Sequence, residues 1–573
     1  MSQNITFVRK VIYIVAIALL LFPLFLLGQP ATRDSAGGVL ARLREQYGLS
    51  QANLGEIDPA SESMKLATLG LRGIAANLLW EKAFDYKKHE DWDSLSATLN
   101  QITKLQPNFV SVWEFQSHNL AYNVSAEFDD YRMRYHWVTK GIGFVIEGTH
   151  YNRDNPRLLH WTGWMMGQKI GRADEHVQFR ELFRNDEDFH EELNREVVVD
   201  EGIGYDGRPD NWLVGRLWYE RAERAVDRGI PLRGKSPLIF YADNPMSYIN
   251  YASTIEEEGI LGQKAQLAWS KAADAWKQYG RRSIPSTWGH NIRLGDYENA
   301  KKQAERMRER LDEMLPGVRD QLKREKIAAL SPELREALEI PEDELDAETG
   351  PLHYQALNKT AVTHEEVAER APPELRDEAA KLAARLKAQE TLVTRIAHYR
   401  GTVNYEYWEI RCAAEQQKDA VDAREYLYEA KKAHEAAELE TARSLYERAW
   451  PKWKAIFDKY PRLMDDVQSE DLIKDIKRYR QLLQQLDEDL PKDFVLRDFV
   501  LRRDDEELVE LFKGSDVREE EPASTPPDEP AETETAPGKP TSDTSRAAAP
   551  EQPGKRAPGD ASAKEDSTSS SGE

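Results

Sequence analysis

Residues able to do chemistry appear in a sequence as titratable or nucleophilic side chains at spacings a fold can gather. His176, Asp186, Asp188 and His190 offer imidazoles and carboxylates in one short stretch, but their spacing fits no established zinc pattern and reads as a solvated helix face with a turn. Asp200, Glu201, Asp206 and Asp210 surround glycines as in a calcium loop, yet they miss the alternating oxygen ligands and the closing Glu of that loop. Stricter motifs are missing too. No Gly-rich run ends in Gly-Lys-Ser or Gly-Lys-Thr, and Gly141-Ile142-Gly143 and Gly202-Ile203-Gly204 do not complete a dinucleotide fingerprint. There is neither a Gly-x-Ser-x-Gly elbow nor a His-Glu-x-x-His pair. The single cysteine, Cys412, excludes an intrachain disulfide and stands in a helical stretch, where packing is its expected role. No catalytic residue, cofactor or metal is predicted.

The aromatic residues offer a different chemistry. Trp80, Trp92, Trp113, Trp137, Trp161 and Trp164 are concentrated in one region. Core packing accounts for most of them, because aromatic rings bury large areas. The alternative is an aromatic-lined groove for a peptide or glycan, in which His118, Asn119, Tyr122 and Asn123 present polar groups at helical spacing.

The elements that must position these residues are helices. From residue 76 the chain carries Leu79, Ala83 and Tyr86 on one helical face, a break at Glu90-Asp91-Trp92, then Leu95, Leu99 and Ile102, closed by Pro107. This stretch resembles a tetratricopeptide repeat, a helix–turn–helix unit of about 34 residues; Leu95 stands where that template has Ala. Trp113 takes the leading aromatic position of the next unit, which closes at Asp154-Asn155-Pro156 after extra residues. A second hairpin turns at Gly259 and Gly262 and carries Ala265, Trp269 and Ala272; a third, at 423–456, carries Tyr426, Ala430, Ala442, Tyr446 and Ala449. The resemblance implies an all-α, right-handed superhelix of stacked hairpins whose concave face holds a protein partner. Several elements are less repeat-like. Residues 174–194 read as one charged helix, Leu238–Tyr241 as a short strand or an apolar plug, and the span from Pro373 to about Gln417 as one long helix.

Composition sets the remaining bounds. The net charge of −23 over 573 residues argues against nucleic acid as a partner, since phosphate binding needs a basic footprint. Residues 11–27 are uncharged and apolar directly after Arg9-Lys10. As a helix the run spans about 25 Å, and Gly28 with snorkelling flanks supplies the rest of a bilayer crossing. No clean small-x-small cleavage site follows, so residues 11–28 are expected to be an uncleaved anchor, with the basic flank cytoplasmic and the body outside the cytoplasm. Expected domains are the flank and anchor at 1–30, a stalk at 31–63, repeats at 64–298, a charged helical insertion or connector at 299–395, and a second repeat region with a capping helix at 396–514. The Pro/Ser/Thr-rich acidic tail at 515–573 is expected to be disordered. The predicted function is a non-enzymatic membrane-anchored scaffold for unidentified protein partners. The alternatives are a glycan-active enzyme on a closed helical toroid, using paired carboxylates, and a structural envelope component.

Overall fold

The computed structural model describes residues 72–513, apart from 466–468 and 504, and isolated positions between 15 and 43. Most of the expected anchor at 11–28 and of the stalk, and all of the tail at 515–573, lie outside the described residues. Among the described residues no helix is long and apolar enough to cross a membrane. The chain divides into two units at Ser515, and the described helices all belong to the first.

The described backbone is all-α apart from one short antiparallel pair of strands and an isolated antiparallel bridge between Ile203 and Pro209. Helix α1 (Arg72–Lys88) and α2 (Trp92–Leu105) form a hairpin. Glu90 turns it in a left-handed conformation (φ 57°), and the Asp91 carboxylate accepts the Ser94 N–H at 3.1 Å, satisfying a donor that a helix start leaves open. Leu79, Ala83 and Tyr86 meet Leu95, Leu99 and Ile102 in one core, with Ala83 and the α2 residues buried. The buried Pro107 carbonyl then accepts the indole N–H of Trp113 at 2.7 Å, which ties in α3 (Val110–His118). That helix continues through a π-turn (Asn119–Asn123) and a 3-10 turn (Val124–Glu127) before α4 (Tyr131–Tyr151).

Helix α5 (Pro156–Trp164) starts with Asn155 as its cap and Pro156 in the first turn, and it too runs into a π-turn, Met165–Ile170. The charged stretch expected as one helix is two, α6 (His176–Arg184) and α7 (Glu187–Asn194), because the Asp186 carboxylate caps a fresh start by accepting the Phe189 N–H. Helix α8 (Asn211–Asp227) packs against α5 and against α9 (Pro237–Glu257), which pairs with α10 (Gln263–Arg281). Ala265, Trp269 and Ala272 are buried in this pair, and Gly259 and Gly262 take positive φ at its turn. Leu238–Tyr241 is neither strand nor plug but the opening of α9, with Pro237 in the first turn and Pro245 inside the helix. An interior proline costs about 3 kcal/mol. Burial of Leu238, Phe240, Tyr241 and Ile249 outweighs it, each large apolar side chain being worth about 1.5–3 kcal/mol.

Strands β1 (Ile284–Pro285) and β2 (Asn291–Ile292) pair antiparallel. The connector continues as α11 (Tyr297–Met314), α12 (Val318–Ala328), α13 (Pro332–Glu339), α14 (Thr349–Thr360), α15 (His364–Glu369) and α16 (Arg376–Thr402). Thr363 and Glu366 form a reciprocal capping box on α15. The long helix expected to reach Gln417 instead breaks at Asn404 (φ 48°), and α17 (Tyr405–Glu415) packs on α10. Helices α18 (Lys418–Glu435) and α19 (Leu439–Lys459) make the last tight hairpin, turned at Ala437 (φ 60°). Ala430, Ala442, Tyr446 and Ala449 are buried there and Tyr426 is half-buried. Helices α20 (Ser469–Gln485), α21 (Arg497–Arg503) and α22 (Glu506–Lys513) complete the same core.

Candidate functional site

Helices α3 and α5 lie side by side, and each loosens into a π-turn at its C-terminal end. A π-turn adds a residue to the helical turn and re-aims the side chains beyond it, and such turns recur at functional sites. Here the rings on and around the two turns meet. His118 stacks on Tyr122 with ring centroids 4.4 Å apart and planes within 9°. Tyr122 faces Trp164 at 6.3 Å, Trp164 stacks on Trp161 at 4.7 Å, and Trp161 returns to His118 at 6.5 Å. The indole N–H of Trp161 donates to Ser117 Oγ at 2.9 Å, which fixes α5 against α3. All four rings are partly exposed, a surface fit to take a ligand as well as to pack.

Two cations edge this row. The Lys169 ammonium lies 4.4 Å from the Tyr122 ring centroid, and burial lowers its pKa, as does Arg134 nearby. Burial together with the charges of Lys87 and Lys169 pushes His118 down to about 4, so its imidazole is neutral at neutral pH. The row is a neutral aromatic surface with Lys87 and Lys169 beside it.

The four residues singled out in the sequence divide between two faces. His118 and Tyr122 belong to the row. Asn119 is buried instead, donating from Nδ2 to Ser96 Oγ at 3.2 Å and to Gln116 Oε1 at 3.3 Å, and Asn123 donates to the Asn119 side-chain oxygen at 2.9 Å. A step of one residue turns about 100° around a helix, so neighbours cannot share a face. Trp161, Trp164 and Lys169 complete the row from another helix; clustering of tryptophans was the only sequence signal for any of them.

A second grouping lies on the other side of α5. His160, 1% exposed, is bound at both ring nitrogens: Lys235 Nζ donates to Nδ1 at 2.8 Å, and Nε2–H donates to Asp243 Oδ2 at 2.6 Å. A carboxylate can only accept, so the ring proton sits on Nε2 and Nδ1 of the imidazole is the acceptor facing Lys235. Tyr219 and Phe240 hold the imidazole ring at 4.7 and 5.4 Å between centroids. Burial depresses the pKa of both His160 and Lys235. Arg157, one turn before His160, makes a bidentate pair with Glu114, whose charge and that of Arg157 both reach Lys235.

Several of the other candidates have local partners. Asp210 caps α8 and pairs with the buried Arg180 at 2.9 Å, while Arg180 also holds Glu258 at 2.6 Å. Asp206 is paired with Arg208. The His176 ring meets the Ala173 carbonyl, and His190 packs on Phe183. Burial raises the Cys412 thiol to about 12. Among the described residues no group of three or more His, Cys, Asp or Glu is placed to hold a metal ion. No protein family, curated protein or solved structure matches the chain.

Proposed function

We propose that this chain is a membrane-anchored, tetratricopeptide-like scaffold that holds a protein partner outside the cytoplasm, without catalysis of its own in that role. The stacked helical hairpins support a right-handed superhelix whose inner helices include α3 and α5. The observation that carries the reading is the partly exposed row His118–Tyr122–Trp164–Trp161, edged by Lys87 and Lys169. Stacked rings bind apolar or ring side chains at low entropy cost, and the lysines favour carboxylates. The partner segment is therefore acidic, with one or two aromatic or branched apolar anchors. The hydrophobic run at 11–28, by its position after Arg9-Lys10, supplies the anchor and the orientation.

The test is a peptide array probed with the full chain in detergent, against Trp164→Ala and Lys169→Glu. The proposal expects selection of acidic peptides with apolar anchors. A hot-spot loss of about 2 kcal/mol, or roughly thirtyfold, is expected for Trp164→Ala. Selection indifferent to peptide charge, or binding unchanged in both variants, overturns it. Binding of oligosaccharides in place of peptides favours the glycan alternative.

A further inference from the structure

Lys235 stands in the loop before α9, and it is partly open to solvent although its ammonium is well enclosed. Its Nζ lies 2.8 Å from His160 Nδ1, and His160 Nε2 lies 2.6 Å from Asp243 Oδ2. A nucleophile within hydrogen-bond reach of a base, itself oriented by a third group, is the arrangement shared by enzymes that form covalent intermediates. The buried position of His160 between Tyr219 and Phe240 holds Nδ1 toward the amine and prevents the ring from turning away.

From this geometry we propose that Lys235 is a nucleophilic amine that forms an imine with a small aldehyde, with His160 as its base and Asp243 as a positioning residue. The nitrogen lone pair of Lys235 attacks the carbonyl carbon, and the C=O π pair moves to oxygen. The proton released from nitrogen passes to His160 Nδ1, and the Asp243 carboxylate stabilises the imidazolium through Nε2–H. His160 hands that proton to the alkoxide, giving the neutral carbinolamine; the remaining N–H proton, taken up by Nδ1 in turn, is delivered to the departing hydroxyl, which leaves as water as the nitrogen lone pair forms the C=N bond. Amine and aldehyde give imine and water, with nothing oxidised or reduced. Glu114 and Arg157, whose charges reach this amine, stand one turn before His118 on α3 and before Trp161 on α5. The depressed amine pKa helps, because it leaves more of the amine neutral at a given pH.

The experiment treats the full chain in detergent with benzaldehyde and cyanoborohydride, then maps the benzylated lysines by mass spectrometry. The pH is set about two units below the ordinary lysine value of about 10.4, where exposed lysines are mostly protonated. With His160 as its base, Lys235 is expected to label at least about tenfold faster than the exposed Lys277 and Lys301, with a rate that levels off at lower pH than theirs. His160→Phe keeps a ring between Tyr219 and Phe240 and should slow Lys235 labelling about 100-fold, the usual weight of a general base. Asp243→Asn should slow it by a smaller factor without touching Lys277 or Lys301, and imidazole in the buffer should restore part of the rate in His160→Gly. Labelling of Lys235 no faster than at Lys277 overturns the proposal. Unchanged labelling in a folded His160→Phe protein removes the base and overturns the relay.

Discussion

Helices α5 and α8 cross at two glycines, and that crossing sets where Arg157, His160, Trp161 and Trp164 point. A Cβ on Gly163 would lie 2.7 Å from the Gly215 carbonyl oxygen and 3.1 Å from the Tyr219 ring, while the reciprocal Cβ on Gly215 would lie 3.0 Å from the Gly163 carbonyl oxygen. A backbone oxygen inside a helix cannot swing aside, so Gly163→Ala must push the helices apart by several tenths of an ångström. Overpacking of that kind costs about 1–3 kcal/mol. The same substitution gains about 1 kcal/mol of helix propensity, and the proper reference shares that gain. Gly143, inside α4, has nothing within 4 Å of its would-be Cβ. Gly143→Ala therefore takes the helix gain alone, and the two variants should differ by the clash alone, about 1–3 kcal/mol. Hydrogen exchange of the α5 amides reads this locally, since opening free energies vary along a structure. Gly163→Ala should lose about ten- to a hundredfold of α5 protection relative to Gly143→Ala. Equal protection in the two would mean that the helices do not touch at these glycines.

Three other outcomes check the packing and the charges. Ala83 is 1% exposed in the α1–α2 core, so Ala83→Trp should cost about 1–3 kcal/mol, whereas Lys88→Ala on the exposed end of α1 should stay within about 0.5 kcal/mol by thermal melting. Arg180 is enclosed against Asp210 and Glu258, which also contact Arg184, so Arg180→Met should cost about 1–3 kcal/mol by lowering the compensation of their charge; adding Asp210→Asn should recover part of the loss if that charge is the cause. Burial raises the Glu223 carboxyl from its ordinary 4.5 to about 7, while Arg282 pulls the other way. A carboxyl raised on folding weakens stability as pH climbs from about 4.5 to 7. Glu223→Gln should therefore raise the melting temperature relative to the parent above that window and leave it unchanged below; an equal effect at both pH values refutes the assignment.

The helical class and several hairpins are legible in the sequence because their causes are local. Apolar residues at three- and four-residue spacing declare a helix, and Glu90-Asp91, Gly259, Gly262 and the Thr363–Glu366 capping box mark where helices stop and start. Local rules fail where burial overrides them: Pro245 sits inside α9 because the apolar side chains around it are enclosed on folding, and no window of sequence contains their partners. Asn404 breaks the helix expected through Gln417 by adopting a left-handed backbone that its side chain tolerates but does not announce. The candidate site was legible only in half. His118 and Tyr122 stand four apart and share a face, which helical geometry alone requires; their stacking on Trp161 and Trp164 depends on how α3 and α5 dock and on the π-turns that end them. His160 lies 75 residues from Lys235 and 83 from Asp243. Each alone reads as an ordinary charged or polar residue. Only the packing of α5 against α8 and α9 brings their atoms within 3 Å, because a hydrogen bond is set by distance in space and the helical period carries none of that information.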